Sequence, residues 1–242
     1  MFKMKKYSVM LMLALTFLAS GINAEEKTGR LESDLTRDER SKPLQIIDFA
    51  GVTEGNHVLD ILGGGGYYTH LLSQAVGPKG SVTLHNNAAY LPYVGKELES
   101  RFANNQFTNV ERLMSEVDDL KLGTAKFDIA FFVLGYHDLY YQGDKWDVTA
   151  DKLIPQLKAS LKDDGMLLVV DHRAEAGTGK SSAQTLHRIT PEFVIEDLKN
   201  RGFDLVKTSD ILANGKDPLN IIAFDKSLKR NTSRFVLLFK KN

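Results

Sequence analysis

Four consecutive glycines, Gly63–Gly66, separate a short apolar run, His57–Leu62, from a segment whose apolar residues recur at helical spacing, Tyr67–Val76. Those pieces leave the chain little choice. The run at His57–Leu62 has the length and composition of a buried strand. Tyr68, Leu71, Leu72 and Ala75 form one helix face. Gly77-Pro78-Lys79-Gly80 stops that helix, and Ser81–His85 is a second apolar strand. Strand, helix and strand joined this tightly close as a right-handed parallel crossover.

The alternation continues. Tyr93–Phe102 reads as a helix, Val110–Met114 and Phe127–Leu134 as strands, and Val148–Leu161 as a helix that Pro155 kinks or bounds. Asp163-Asp164-Gly165 reads as a turn before a fifth strand, Met166–Val170. Thr190 is placed to cap a helix over Pro191–Asn200, with Pro191 at its first position. Phe203–Thr208 and Arg234–Phe239 complete the strands. The expected fold is α/β: a single doubly wound sheet of about seven strands, mostly parallel, with helices on both faces.

The ends of the chain differ from this pattern. Lys3, Lys5 and Lys6 precede an apolar run at Val9–Ala19, and Ile22-Asn23-Ala24 ends in a small residue. This is the layout of a secretory signal over residues 1–24, too short to span a bilayer comfortably, which implies export to the periplasm after cleavage at Ala24. A retained anchor is the other reading. Residues 25–42 are polar and are expected to form a mobile arm or a lightly packed helix. Residues 43–242 form the domain, opening on a short apolar helix after Pro43. A chain of 242 residues suits one sizeable domain. The formal net charge is zero, which argues against a nucleic-acid partner, and the absence of cysteine excludes disulfides and thiolate chemistry.

Glycines at a strand-to-helix turn let a ligand approach bare backbone, and the helix N-terminus offers N–H groups to an anion. A dinucleotide pattern needs a third glycine, where this chain has Tyr68 or Thr69, so a nicotinamide-dependent oxidoreductase ranks low. The stretch "HVLDILGGGGYYTHLLSQAVGPKGSVTLHN" resembles the first motif of class I S-adenosylmethionine-dependent methyltransferases, D-x-G-x-G-x-G. Asp60, Gly64 and Gly66 match it, and Leu62 stands at the first glycine. The resemblance extends along the mature chain through "GYHDLYY", "DHRAEAGTG", "TLHRI" and "RFVLLFKK", and is closest to a branch of predicted bacterial methyltransferases that carry signal peptides. It implies a Rossmann-like fold, S-adenosylmethionine as cofactor, and cofactor contacts from Asp60, Gly63, Gly64 and Gly66. It also implies Glu116 and Val117 at the adenine. Asn86, 20 positions after Gly66, occupies the place of the ribose acceptor. An ordinary Asn-Asn turn is the alternative there, and a solvated acid beside Asp118 and Asp119 is the alternative for Glu116.

Ligands of open α/β sheets bind beyond the carboxyl ends of the strands. Two strands end there in Gly135-Tyr136-His137-Asp138 and Asp171-His172-Arg173. His137 or His172 is a candidate general base, with Asp138 orienting it. The same His/Asp groups suit a divalent metal, but their spacing matches no metal signature, so no metal ligand is assigned from sequence. Helix capping and loop anchoring are the plain alternative. His187-Arg188 lines the same cleft or packs a loop. Tyr67, Tyr68, Tyr136, Tyr140 and Tyr141 gather nearby without an assigned role. "AEAGTGKS" at Ala174–Ser181 mimics a phosphate loop but lacks its first glycine. The leading expectation is methyl transfer to an unknown O or N acceptor, small or exported. A non-catalytic nucleoside-binding module of the same fold is the alternative.

Overall fold

The structure is a computed structural model that describes residues 29–242 apart from residues 105 and 145. The signal-like residues 1–24 lie outside the described residues. Seven strands form one sheet in the order β3-β2-β1-β4-β5-β7-β6. They are β1 (His57–Asp60), β2 (Ser81–Asn86), β3 (Val110–Met114), β4 (Phe127–Val133), β5 (Leu161–His172), β6 (Phe203–Ser209) and β7 (Arg234–Lys241). β1 to β5 pair in parallel; β7 runs antiparallel between β5 and β6. The helices are α1 (Glu32–Ser41), α2 (Pro43–Ala50), α3 (Tyr67–Val76), α4 (Leu91–Phe102), α5 (Ala150–Ser160), α6 (Ala183–Leu186) and α7 (Pro191–Asn200). Among the described residues no helix is long and apolar enough to cross a membrane.

Strand periodicity divides the core. Ile129, Phe131, Leu168, Val170, Val236 and Leu238 pack with Ile46 of α2 and Leu72 of α3 on one face. Ala130, Phe132, Leu167, Val169, Leu237 and Phe239 pack with Leu153 of α5 and Leu198 of α7 on the other. Successive residues of each central strand therefore serve opposite layers, as a covered sheet requires. Thr190 caps α7 as expected, its hydroxyl accepting from Phe193 N–H. Pro155 lies inside α5 on its exposed side without ending the helix.

Two expectations are corrected. Asp163-Asp164-Gly165 does not precede β5; it is an excursion within it. Phe127 pairs with Leu161 and Ile129 with Met166, so five steps on β5 oppose two on β4 and the extra residues leave the ladder. Of the two forms expected for residues 25–42, a mobile arm or a lightly packed helix, the structure shows a helix, α1, and it is anchored rather than lightly packed. Asp34 is buried against Arg101, and Asp38 accepts from Arg30 and from the Tyr67 hydroxyl. Arg234 also donates to the Arg40 carbonyl. The domain therefore begins before residue 43. Charge hides this from a sequence reading, because a polar helix lacks an apolar stripe and docks here through ion pairs.

Candidate functional site

β1 ends at Asp60, and the chain turns through Leu62 with φ 50 before Gly63 N–H donates to the His85 carbonyl. Left-handed backbone costs a leucine about 1–2 kcal/mol. Its side chain is buried in the same core as Val117 and Tyr136, and that burial returns about 1.5–3 kcal/mol. The turn thus forms without the usual first glycine. Gly64 has φ 61 and is partly exposed. Gly65 is buried beneath α4: a Cβ there would lie 2.2 Å from the Glu97 carboxyl carbon.

Asp60 sits under the turn, buried, accepting the Thr69 hydroxyl at 2.6 Å. Burial pushes its carboxyl up to about 6. It shapes the loop and faces no solvent. Asn86 closes on the turn from β2. Its Oδ1 accepts from Gly64 N–H and its Nδ2 donates to the Gly64 carbonyl, both at 2.9 Å. At 2% exposed, it is not an open ribose acceptor. An amide makes both bonds where a carboxylate makes only one. Glu116 is exposed, its Oε1 accepting Ala88 N–H at 3.0 Å, while the Val117 side chain is buried. For an adenosyl group the fit therefore lies in the bare backbone of Gly63 and Gly64 and in the exposed carboxylate of Glu116. The amide of Asn86 is withdrawn from it.

A brace missed by the sequence reading holds this turn. Arg101 of α4 donates through Nε to the Gly65 carbonyl at 2.6 Å. Its two terminal nitrogens reach the Asp34 carboxylate at 2.5 and 2.9 Å, and Nη2 also reaches Glu97 at 2.8 Å. The only sequence signal was an arginine amid helix charges.

The second cluster forms where β4 and β5 end side by side, Val133 opposite Val170. A 3-10 turn, His137–Tyr140, starts just beyond β4. Asp171 is fully buried; it accepts His137 N–H at 2.8 Å and faces His137 Nδ1 at 2.7 Å. His137 Nε2 lies 3.2 Å from Asp138 Oδ1, and His187 Nδ1 lies 3.5 Å from the same oxygen. Tyr90 donates its hydroxyl to Asp138 Oδ2 at 3.1 Å, and Trp146 Nε1 donates to the Asp138 carbonyl at 2.7 Å. His172 meets the Thr232 hydroxyl through Nδ1 at 2.6 Å.

These surroundings separate the histidines. Burial alone lowers the basicity of His137, but the carboxylates of Asp171 and Asp138 outweigh it and lift its pKa to about 10. Burial opposes ionisation of Asp138, yet the His137 and His187 imidazoles hold it well below the usual carboxylate range. Burial drives His172 well below an ordinary histidine, and the charge of His137 adds to this. Flanked by the carboxylates of Asp171 and Asp138 and 1% exposed, His137 is the more basic of the two imidazoles and faces those carboxylates rather than open solvent. His172 is the less basic of the two.

His187 joins the cluster from the end of α6, in left-handed backbone with φ 50. Its ring stacks on Tyr141 at 5.0 Å and lies 4.9 Å from the ring of Phe224, which is exposed. Its neighbour Arg188 points inward to the Asp217 carboxylate, with both contacts 2.9 Å. Most of the tyrosines are packing residues with polar handles. Tyr67 binds Asp38, while Tyr136 and Tyr140 share Asp197. Tyr68 is buried in the core.

Residues 36–171 match the ubiE/COQ5 methyltransferase family. Over 125 residues the chain is 30% identical to a ubiquinone/menaquinone biosynthesis C-methyltransferase of Pseudomonas paraeruginosa, covering 52% of this chain and 45% of that one. The chain thus spans about half the length of the curated relatives it matches. The fold is shared with a SAM-dependent methyltransferase from Aquifex aeolicus (TM-score 0.60, 20% identity, 87% of this chain and 97% of that one). It is shared also with a Burkholderia thailandensis 1,6-didemethyltoxoflavin-N1-methyltransferase bound to its substrate and S-adenosylhomocysteine (TM-score 0.55, 18% identity, 87% of this chain and 82% of that one). The match over more than half of its length places the chain in the ubiE/COQ5 methyltransferase family, with S-adenosylmethionine as the cofactor that this membership implies.

Proposed function

We propose that this chain is an S-adenosylmethionine-dependent methyltransferase acting on a small oxygen or nitrogen acceptor. The partly exposed backbone of Gly63 and Gly64 beyond the carboxyl end of β1, together with the exposed Glu116 carboxylate just past β3, carries the reading. Bound there, the cofactor supplies an electrophilic methyl group on a sulfonium. Gly64 leaves room for it, Glu116 accepts its polar hydrogens, and Asp60 and Asn86 hold the turn in shape. At the neighbouring strand ends His172, neutral and next to Phe224, takes the proton that the acceptor loses. Tyr141 and Phe224 offer flat faces to an acceptor or a cation. A sulfonium needs little further activation, so positioning and one base suffice.

Titration calorimetry with S-adenosylhomocysteine on the purified chain tests this. Saturable binding, abolished by Gly64→Val, is the expected result. Absence of binding at millimolar ligand overturns it and favours the second reading, a non-catalytic module. The closure of Asn86 on Gly64 and of Glu97 over Gly65 supports that alternative. We also propose that the chain is exported to the periplasm, on the strength of Lys3, Lys5, Lys6 and the Val9–Ala19 run, and that it engages no nucleic acid. N-terminal mass analysis of the secreted chain should begin at Glu25.

A further inference from the structure

We propose that His137, Asp138 and His187 form a binding site for one divalent transition-metal ion of the zinc type. Two imidazole nitrogens and a carboxylate oxygen converge there, all within 4.8 Å of one another. The separations from Asp138 Oδ1 are 3.2 Å to His137 Nε2 and 3.5 Å to His187 Nδ1. A tetrahedral ion with bonds of about 2.0–2.1 Å spaces its ligands roughly 3.3 Å apart. The cluster is therefore close to ligand spacing already.

Both nitrogens are also unsatisfied. His137 Nε2 and His187 Nδ1 are buried and have no hydrogen-bond partner, and the His137 side chain is 1% exposed. Buried polar atoms without partners are rare in folded proteins, and two facing one carboxylate oxygen call for a shared ligand. A divalent ion bound in place of the His137 proton satisfies both nitrogens at once.

The surroundings are those of a metal ligand set. Asp171 grips His137 through Nδ1 and the backbone N–H, which leaves Nε2 aimed at the cluster. This is the carboxylate–histidine relay that orients ligating imidazoles. Tyr90 fixes the other oxygen of Asp138. The inward pair of Arg188 and Asp217 anchors the chain beside His187, and Tyr141 stacks on its ring. Asp138 and His187 remain 17% and 20% exposed, so one side of the site is open. Three protein ligands with an open fourth position is a catalytic rather than a structural arrangement. Imidazole donors favour zinc, cobalt, nickel or iron over magnesium and calcium. The open position would take water or an acceptor oxygen. The ligands come from chain positions some 50 residues apart, 137–138 and 187, which is why spacing alone shows no signature. The inference rests on this geometry and stands whether or not methyl transfer does.

The test uses the purified, untagged, chelator-stripped chain, titrated with zinc chloride by calorimetry. The expected result is one ion per chain, with no binding of magnesium chloride. His187→Gln and Asp138→Asn should each weaken zinc by at least about 10-fold. His57→Gln, at the start of β1 and so at the opposite end of the strands from the site, should leave it unchanged. Thermal melts supply the folding control: zinc should raise the midpoint of the parent chain and of His57→Gln, but not of a folded His187→Gln. No saturable zinc binding, or equal binding by His187→Gln and the parent, would overturn the proposal. So would equal loss in His57→Gln.

Discussion

Asp34→Ala tests whether the polar N-terminal helix is part of the fold. In the folded chain the Asp34 carboxylate meets both terminal nitrogens of Arg101 at 2.5 and 2.9 Å, with the two side chains 2% and 0% exposed. Removing one partner of a buried ion pair leaves the other charged in a low-dielectric setting, at a cost of about 3–5 kcal/mol. Glu97, partly exposed, still holds one Arg101 nitrogen at 2.8 Å, which places the expected loss at the lower end, about 3 kcal/mol. For a chain of this size that lowers the melting midpoint by about 6–12 °C. Urea denaturation of the variant and the parent gives the number directly. Asp34→Ala/Arg101→Met should recover part of the loss, because the stranded charge is gone. A single-variant loss below about 1 kcal/mol, the range of an exposed pair, would refute the argument and return α1 to the status of a loose arm.

Other consequences are equally direct. The Asp60 carboxyl titrates at about 6 when folded and at 3.8 in an unfolded chain, so the folded state retains a proton between those values. Stability should fall as pH rises from 4 to 6 and stay lower above, by up to roughly 3 kcal/mol. Asp60→Asn should therefore gain on the parent across that window in urea titrations; a constant difference would remove burial as the cause. Leu62→Gly relieves left-handed strain but empties a core position, for a net loss of about 2 kcal/mol by the same assay; a gain would mean that the leucine packs poorly. His172→Gln should cut S-adenosylhomocysteine release with an acceptor panel by about 100-fold or more while leaving calorimetric affinity for S-adenosylhomocysteine intact; equal turnover removes His172 as the base.

Much of this architecture is legible along the chain. The bounds of α3 and α7 follow from apolar spacing at 3.6 residues, from Gly77 and from the Thr190 cap, all of which act within a few residues. The glycine turn and the alternation of strands and helices are equally local. The convergence of the β4 and β5 tips follows from adjacency in a parallel sheet. The roles of individual side chains at those tips do not. Asn86 fits a ribose acceptor by position, and only the approach of Gly64 shows that its amide is engaged. His137 and His172 look alike in sequence, and the carboxylates of Asp171 and Asp138 raise the basicity of one while burial lowers that of the other.

What the sequence determined by itself is whatever short-range forces decide: periodicity, caps, and turns that need a missing side chain. The tertiary structure alone decided the insertion of β7 between β5 and β6, the docking of α1 through Asp34 and Arg101, and the meeting of His187 with His137 and Asp138. Each joins residues distant along the chain, and no pattern within one helix or strand encodes the energy of such a contact. That energy depends on which charges and lone pairs are buried together, which is settled only when the layers close.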